Sequence, residues 1–246
     1  MKSVVITGAT SGIGLKTAEK FHQMGYFCFL LARNLENLKT LHQKLDNSHP
    51  VICDLADYQS IDNAVEQIKS VIKFPLSSLV NNAGIFERRE FAKVVMSEWE
   101  MMFKVNLHGP AYLTQKMIPL LKKTSNTSIC MVSSTLGIKT STNTSAYSAS
   151  KAAMINLTQT LALELAPFKI RCNTLAPGIV ETPIHGFDQM SPDQKRQTLE
   201  LYNTLQPLGR VGQAAEIADS IYFLCSEQSS WTTGAILSVD GGINLL

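Results

Sequence analysis

Two side chains in this 246-residue sequence are spaced to do proton chemistry together. Tyr147 and Lys151 stand four residues apart in a strongly helical segment, so they lie on one face, one turn from each other. A free phenol titrates near ~10 and is a poor base at neutral pH, whereas a neighbouring ammonium stabilises the phenolate and lowers that value. The spacing therefore predicts a proton-exchanging tyrosine tuned by Lys151. In isolation such a pair would be incidental, and residues upstream decide against that default. Ser3 to Thr7 runs into Gly8-Ala9-Thr10-Ser11-Gly12-Ile13-Gly14 and then into an amphipathic stretch. Strand, glycines and helix arrive in the order a dinucleotide needs: glycines let the backbone turn tightly against a pyrophosphate, and the free amides of the helix start favour its charge. Three glycines without that context would mark only a turn.

The second apolar run ends Leu31-Ala32-Arg33-Asn34, with no carboxylate where an NAD-specific fold places one against the ribose 2′-hydroxyl. Arg33 is suited to a 2′-phosphate, which a carboxylate would repel, so NADP(H) is the expected cofactor. Arg33 as a solvated loop charge is the bland alternative, and Ser11, where a second basic residue would help, counts against NADP(H).

The glycine spacing, Gly-x-x-x-Gly-x-Gly, resembles that of the short-chain dehydrogenase/reductase family. Asn81-Asn82-Ala83-Gly84, Tyr147-Ser-Ala-Ser-Lys151, Pro177-Gly178 and Val239-Asp240-Gly241-Gly242 follow in family order, so the resemblance spans essentially the whole chain. It implies hydride transfer between a nicotinamide and a carbonyl or secondary alcohol, with Asn106, Ser134, Tyr147 and Lys151 as the catalytic set. Tyr147 would give its proton to the carbonyl oxygen or take it back. Ser134, preferred to Ser133 for its distance from Tyr147, would stabilise charge on that oxygen. Lys151 would also hold ribose hydroxyls. Asn106 would interrupt its helix and hold a water linked to the lysine; Pro110, lacking an amide for the Asn106 carbonyl, supplies a local cause for the interruption. For the cofactor, the resemblance implies contacts from Gly8, Thr10, Ser11, Gly12, Ile13 and Gly14, from Arg33, and from Asp54 and Leu55 beside adenine. Asn82, Ala83 and Gly84 would lie beneath the nicotinamide ribose, Pro177, Gly178 and Ile179 over the nicotinamide, and Thr182 at the pyrophosphate. Asp54 could equally be a helix cap.

The elements that must position these residues alternate along the chain. Apolar runs at Ser3 to Thr7, Tyr26 to Ala32, Pro50 to Asp54, Ser78 to Asn81, Thr127 to Ser133, Ile170 to Ala176 and Ala235 to Val239 read as buried strands. Helical spacing fills Ile13 to Met24, Leu35 to Leu45, Ser60 to Ile72, Ser97 to Lys122, Ser145 to Ala166 and Ala214 to Cys225. The alternation predicts one α/β domain over 1–246: a Rossmann-like, doubly wound, seven-stranded parallel sheet with helices on both faces and ligands beyond its strand ends. Residues 182–206, broken by Pro183, Gly186 and Pro192, fit no strand and are expected to cover the site.

Composition narrows the function classes. A formal charge of +2 without a basic stripe argues against nucleic acid, and no leader or membrane-length apolar run is evident, so a cytoplasmic protein is expected. The five cysteines lack metal or disulfide spacing and read as buried thiols, and the Asn-x-Ser/Thr strings at 126, 143 and 156 read as chance. No metal is expected. Length and the Val239-Asp-Gly-Gly242 ending resemble those of the family's bacterial enzymes of fatty-acid synthesis, and that resemblance implies a 3-oxoacyl thioester reductase, with Lys122, Lys123, Lys169 and Arg171 as candidates to dock an acidic acyl carrier protein. A reductase of sugars, polyols, steroids or small ketones is the alternative, and a non-catalytic nucleotide sensor the reading from another class. Of the histidines only His185, in the cover, is placed to touch substrate. The resemblance also implies a homotetramer.

Overall fold

The computed structural model describes residues 1–246 and carries seven parallel strands in the order β3-β2-β1-β4-β5-β6-β7. Along the chain these are β1 (Ser3–Thr7), α1 (Gly12–Gln23), β2 (Phe27–Ala32), α2 (Leu35–Lys44), β3 (Ser48–Ile52), α3 (Tyr58–Val71), β4 (Leu76–Asn81), α4 (Met96–Phe103), α5 (Gly109–Leu121), β5 (Thr127–Val132), α6 (Ser145–Leu165), β6 (Ile170–Pro177), α7 (Pro192–Thr204), α8 (Ala214–Cys225) and β7 (Ile236–Val239). No helix is long and apolar enough to cross a membrane.

Each central strand is apolar on both faces because each face meets helices. On one face Val5, Phe29, Leu79, Ile129 and Met131 pack against Ile61 and Ile68 of α3, Leu113 and Met117 of α5 and Met154 of α6. On the other, Val4, Ile6, Leu30, Val80 and Leu175 meet Phe21 of α1, Leu38 and Leu41 of α2 and Ile221 and Leu224 of α8. The order reverses at β1, where β2 lies on one side and β4 on the other, so the loops after β1 and β4 diverge and leave a crevice at their carboxyl ends.

Besides shifts of one or two residues at several element ends, three features differ from the sequence expectation. Strand β3 covers Ser48–Ile52 rather than Pro50 to Asp54; Pro50 sits inside it, opposite Leu30, and is tolerated because β3 is a sheet edge. The stretch read as one helix over Ser97 to Lys122 is α4 and α5 joined by a π-turn at Lys104–His108 centred on Asn106. Within residues 182–206 lies a helix, α7, that the sequence reading omitted. Its start was legible: Ser191 accepts from the Gln194 amide, the Gln194 side chain answers to the Ser191 amide, and Pro192 follows the cap. α7 buries no residue, which is why no apolar periodicity announced it. All five cysteines are buried free thiols.

Candidate active site

A cleft of about 1030 Å³ runs along the carboxyl ends of the strands. Its floor is the turn after β1. Gly8 and Gly12 adopt φ of +66° and +50°, a region that disfavours side chains, and a Cβ on Gly14 would stand 2.0 Å from the Gly8 carbonyl oxygen. Ser11 makes no side-chain cap to α1, and the amides of Gly12, Ile13 and Gly14 have no protein acceptor. Such a helix start is suited to an anion. Thr182, after β6, packs on Gly12, where an added Cβ would meet the threonine Cβ at 3.2 Å.

Thr7 joins this turn to the one after β4. Its buried hydroxyl accepts from the amides of Asn82 and Ala83, each at 3.0 Å, while the Asn82 side-chain amide donates to the Thr7 carbonyl at 3.0 Å. Sequence reasoning missed Thr7; the signal was a hydroxyl at the last position of a strand feeding the glycine turn. Beyond Gly84, the Asn106 side chain clamps Ile85 twice, accepting from its amide and donating to its carbonyl, both at 2.9 Å. Asn106 is fully buried and does this from the π-turn, whose widened backbone follows from Pro110 having no amide to continue the α-ladder.

The catalytic end is assembled by β5 and α6. Ser133 donates to the Lys151 carbonyl at 2.9 Å, binding the strand end to the helix, so its hydroxyl is spent. Ser134 instead accepts from the Leu136 amide at 3.1 Å, which leaves its own proton free to donate into the cleft. Lys151 donates to the Val132 carbonyl at 2.8 Å, and its nitrogen lies 5.6 Å from the Tyr147 ring centre. Burial pushes the Tyr147 phenol up to about 12, against a smaller opposing pull from the Ser134 hydroxyl. Burial holds the Lys151 ammonium down to about 8. The expected lowering of Tyr147 by Lys151 is thus corrected: loss of water around a buried phenolate sets the direction, and the Lys151 ammonium is itself desolvated and turned toward the Val132 carbonyl.

At the other end, Arg33 is exposed and forms no ion pair; Asn34, Asn37, Asp54 and Leu55 line the cleft with it. Asp54 does not cap a helix: it accepts from the Ala56 amide at 2.9 Å, while Asp57 caps α3. Pro177, Gly178 and Ile179 leave β6 along the cleft wall, Gly178 so close to Asp240 that a Cβ would meet the latter's Cα at 2.7 Å. Every expected site residue except Gly14 and Asn106 lines this one cleft, and those two lie beneath it holding the turns in place.

The aromatic wall was not foreseen as a unit. Phe86 meets the Tyr147 ring edge-on at 4.8 Å and His185 at 5.7 Å, and His185 continues to Phe187 at 6.1 Å and Tyr202 at 6.5 Å. Burial, and then the charge of Arg88, hold His185 down to about 4, so it is a neutral wall element. The proposed docking cations are also corrected. Lys122, Lys123, Lys169 and Arg171 precede or begin β5 and β6, at the amino-terminal ends of the strands, opposite the cleft. Arg171 is moreover engaged by the carbonyls of Leu224, Ser226 and Thr232, and Lys122 lies over the Phe168 ring at 3.3 Å.

Comparison with known proteins agrees with this geometry. Residues 8–244 match the family model described as enoyl-(acyl carrier protein) reductase. The chain belongs to the short-chain dehydrogenase/reductase family. It is 36% identical over 247 residues to the 3-oxoacyl-[acyl-carrier-protein] reductase of Thermotoga maritima, covering 98% of this chain and 97% of the relative. It is 31% identical to the L-xylulose reductase of Bos taurus, over 98% of this chain and 96% of that one. The ligand-free aldohexose dehydrogenase of Thermoplasma acidophilum superposes with a TM-score of 0.90 at 30% identity, covering 100% of this chain and 94% of that one. This short-chain dehydrogenase/reductase is an oxidoreductase acting on CH–OH groups, in a family that uses NAD(P).

Proposed function

We propose that the chain is an NADPH-dependent reductase of 3-oxoacyl thioesters in which Tyr147 is the proton donor. The observation that carries this reading is the meeting of Tyr147, Ser134 and Lys151 at one end of the cleft whose other end presents an unpaired Arg33. The residues fit the dinucleotide: the amides of Gly12, Ile13 and Gly14 would take the pyrophosphate beside Thr182, Arg33 the 2′-phosphate, and Asp54 and Leu55 would flank adenine. Bound there, the nicotinamide supplies the hydride.

The chain's own residues do the rest. Ser134, its oxygen fixed by the Leu136 amide, donates to the substrate oxygen and stabilises negative charge as it develops. Tyr147 passes its proton to the same oxygen. A phenol raised to about 12 is protonated throughout the neutral range, the form that proton donation requires. Lys151 spends one N–H on Val132 and has two left for the ribose hydroxyls. Asn106 keeps Ile85, and through it Asn82 to Gly84, in register with Lys151. Residues 182–206 serve as the cover, since Thr182, Pro183, Ile184, His185 and Leu205 already form part of the cleft wall.

The thioester is supported by the relative from Thermotoga maritima, whose carrier-protein substrate would make an acyl carrier protein this chain's partner. A sugar or polyol substrate is the second reading: Asn244 lines the cleft with a buried Oδ1 that has no partner, and the hydroxyl residues Thr140 and Ser141 also line it. Assembly into a tetramer fits the wholly exposed Trp231 and the exposed Ile236 and Leu245 at the β7 end. Initial rates with NADPH and NADH against an acetoacetyl thioester, L-xylulose, aldohexoses and steroid ketones test the assignment. Preferred NADPH-dependent reduction of the thioester is expected; turnover of a sugar alone would replace it.

A further inference from the structure

The catalytic end of the cleft carries two cations that no acidic side chain pairs. The Arg88 guanidinium carbon lies 5.9 Å from the Phe86 ring centre, and that ring is 4.8 Å from the Tyr147 ring. Lys139 enters the same cleft from the loop after β5. The two loops are joined where the Arg89 amide donates to the Asn143 carbonyl at 2.8 Å. Neither cation forms an ion pair, although acids are near in sequence: Arg89 takes Glu87 and Glu98, and Lys93 takes Glu90. Asp54 is the only side-chain carboxylate lining the cleft, and it stands at the opposite end, after β3. His185, between Phe86 and the cover, is neutral. The space around Tyr147 is therefore bounded by neutral aromatic rings and, beside the buried Lys151, by two positive charges without an acidic partner, and no acidic side chain lines it.

We infer that Arg88 and Lys139 are specificity-determining residues that hold a negatively charged group of the substrate while its carbonyl lies against Tyr147 and Ser134. This rests on the proposed carbonyl reduction at Tyr147. A guanidinium offers paired donors to phosphate or carboxylate, and a cleft end of one sign raises the local concentration of anionic substrate. An amine-bearing ketone is disfavoured for the same reason. The anion has two possible sources, the phosphate of a phosphopantetheine thioester or the carboxylate of an oxo acid, and they are separable.

The test is calorimetric binding to the protein saturated with NADP⁺, which occupies the Arg33 end and permits no reduction. One arm compares acetoacetyl-phosphopantetheine with acetoacetyl-pantetheine, and the other compares 5-oxohexanoate with its methyl ester. In at least one arm the anionic partner should bind roughly tenfold more tightly, the size of a charge-assisted hydrogen bond, and the arm that shows the gap identifies the source. The gap should close in the Arg88→Gln, Lys139→Gln double variant, persist in large part in Arg88→Lys, and shrink with added salt. Equal binding within both pairs, or a gap that survives the double variant, overturns the inference. Reduction rates with NADPH separate it from the reading beneath: thioester turnover without an anion preference removes only the role of Arg88 and Lys139. An anion preference without thioester turnover removes only the thioester assignment.

Discussion

Replacing Thr7 by valine keeps the shape of the side chain and deletes one oxygen on which two turns depend. That oxygen accepts from the Asn82 and Ala83 amides at 3.0 Å each, and the residue is 1% exposed, so water does not readily replace it. An unsatisfied buried donor costs roughly 1–3 kcal/mol. Because both amides share one acceptor and their residues border the cleft, the combined loss is about 2–4 kcal/mol. For a chain of this length about 1 kcal/mol moves the melting temperature by about 2–4 °C, so a fall on the order of 10 °C is expected. Urea unfolding of Thr7→Val and Thr7→Ser, alongside NADPH titration, is the assay. Serine keeps the oxygen and should lose less than about 1.5 kcal/mol, the scale of one deleted methyl group. Valine should also weaken NADPH binding, because the turn after β4 is no longer tied to the glycine turn. If valine stays within about 0.5 kcal/mol of the native chain, or serine is as damaging as valine, the linkage drawn through Thr7 is wrong.

Further expectations concern charge and assembly. Reduction should be level with pH at neutrality and fall as pH rises through about 8, where buried Lys151 loses its proton, whereas oxidation, which starts from the Tyr147 phenolate beside the Lys151 ammonium, should rise up to about 8 and then level off, short of the value of about 12 at which Tyr147 itself ionises. Paired pH profiles of kcat/KM in the two directions check this, and a reduction rate still climbing above the lysine value would contradict it. Arg33→Asp should reverse the NADPH preference by on the order of 100-fold, since it replaces a phosphate partner by a repelling carboxylate; a ratio of kcat/KM values unchanged by the variant would remove Arg33 from the cofactor site. Trp231→Asp should lower the assembly state seen by light scattering while leaving the fold intact by circular dichroism, because Trp231 is fully exposed in the single chain.

The sheet was legible because its strands are apolar on both faces and its helices are amphipathic; the shift of β3 has a local cause, Pro50 being tolerated at an edge. The glycine turn was legible because strand, glycines and helix must come in that order. Three things were not. Helix α7 packs no apolar face into the core, so only its cap marked it. The acidity of Tyr147 depends on how completely the β5 and α6 ends exclude water, which spacing along one helix does not reveal. The sidedness of cations was also invisible: Lys122, Lys123, Lys169 and Arg171 look available in sequence, yet β5 and β6 begin beside them, which puts them at the strand ends away from the cleft, while Arg88 and Lys139 follow the carboxyl ends of strands and reach it. The doubled role of Asn106, interrupting its helix through Pro110 and clamping Ile85 with its side chain, was half visible; the proline is local and the clamp is not.

The most direct test of the account is Tyr147→Phe, measured for NADPH binding by fluorescence and for ketone reduction by loss of nicotinamide absorbance. The ring and its contact with Phe86 are kept and only the hydroxyl is lost. NADPH affinity should remain within about threefold of the native chain, since the change is smaller than one hydrogen bond's contribution. Reduction should fall by roughly 10²–10⁴-fold, as expected for removal of a positioned proton donor. Reduction that survives within tenfold, with binding intact, would contradict the assignment of Tyr147 as the group that moves the proton.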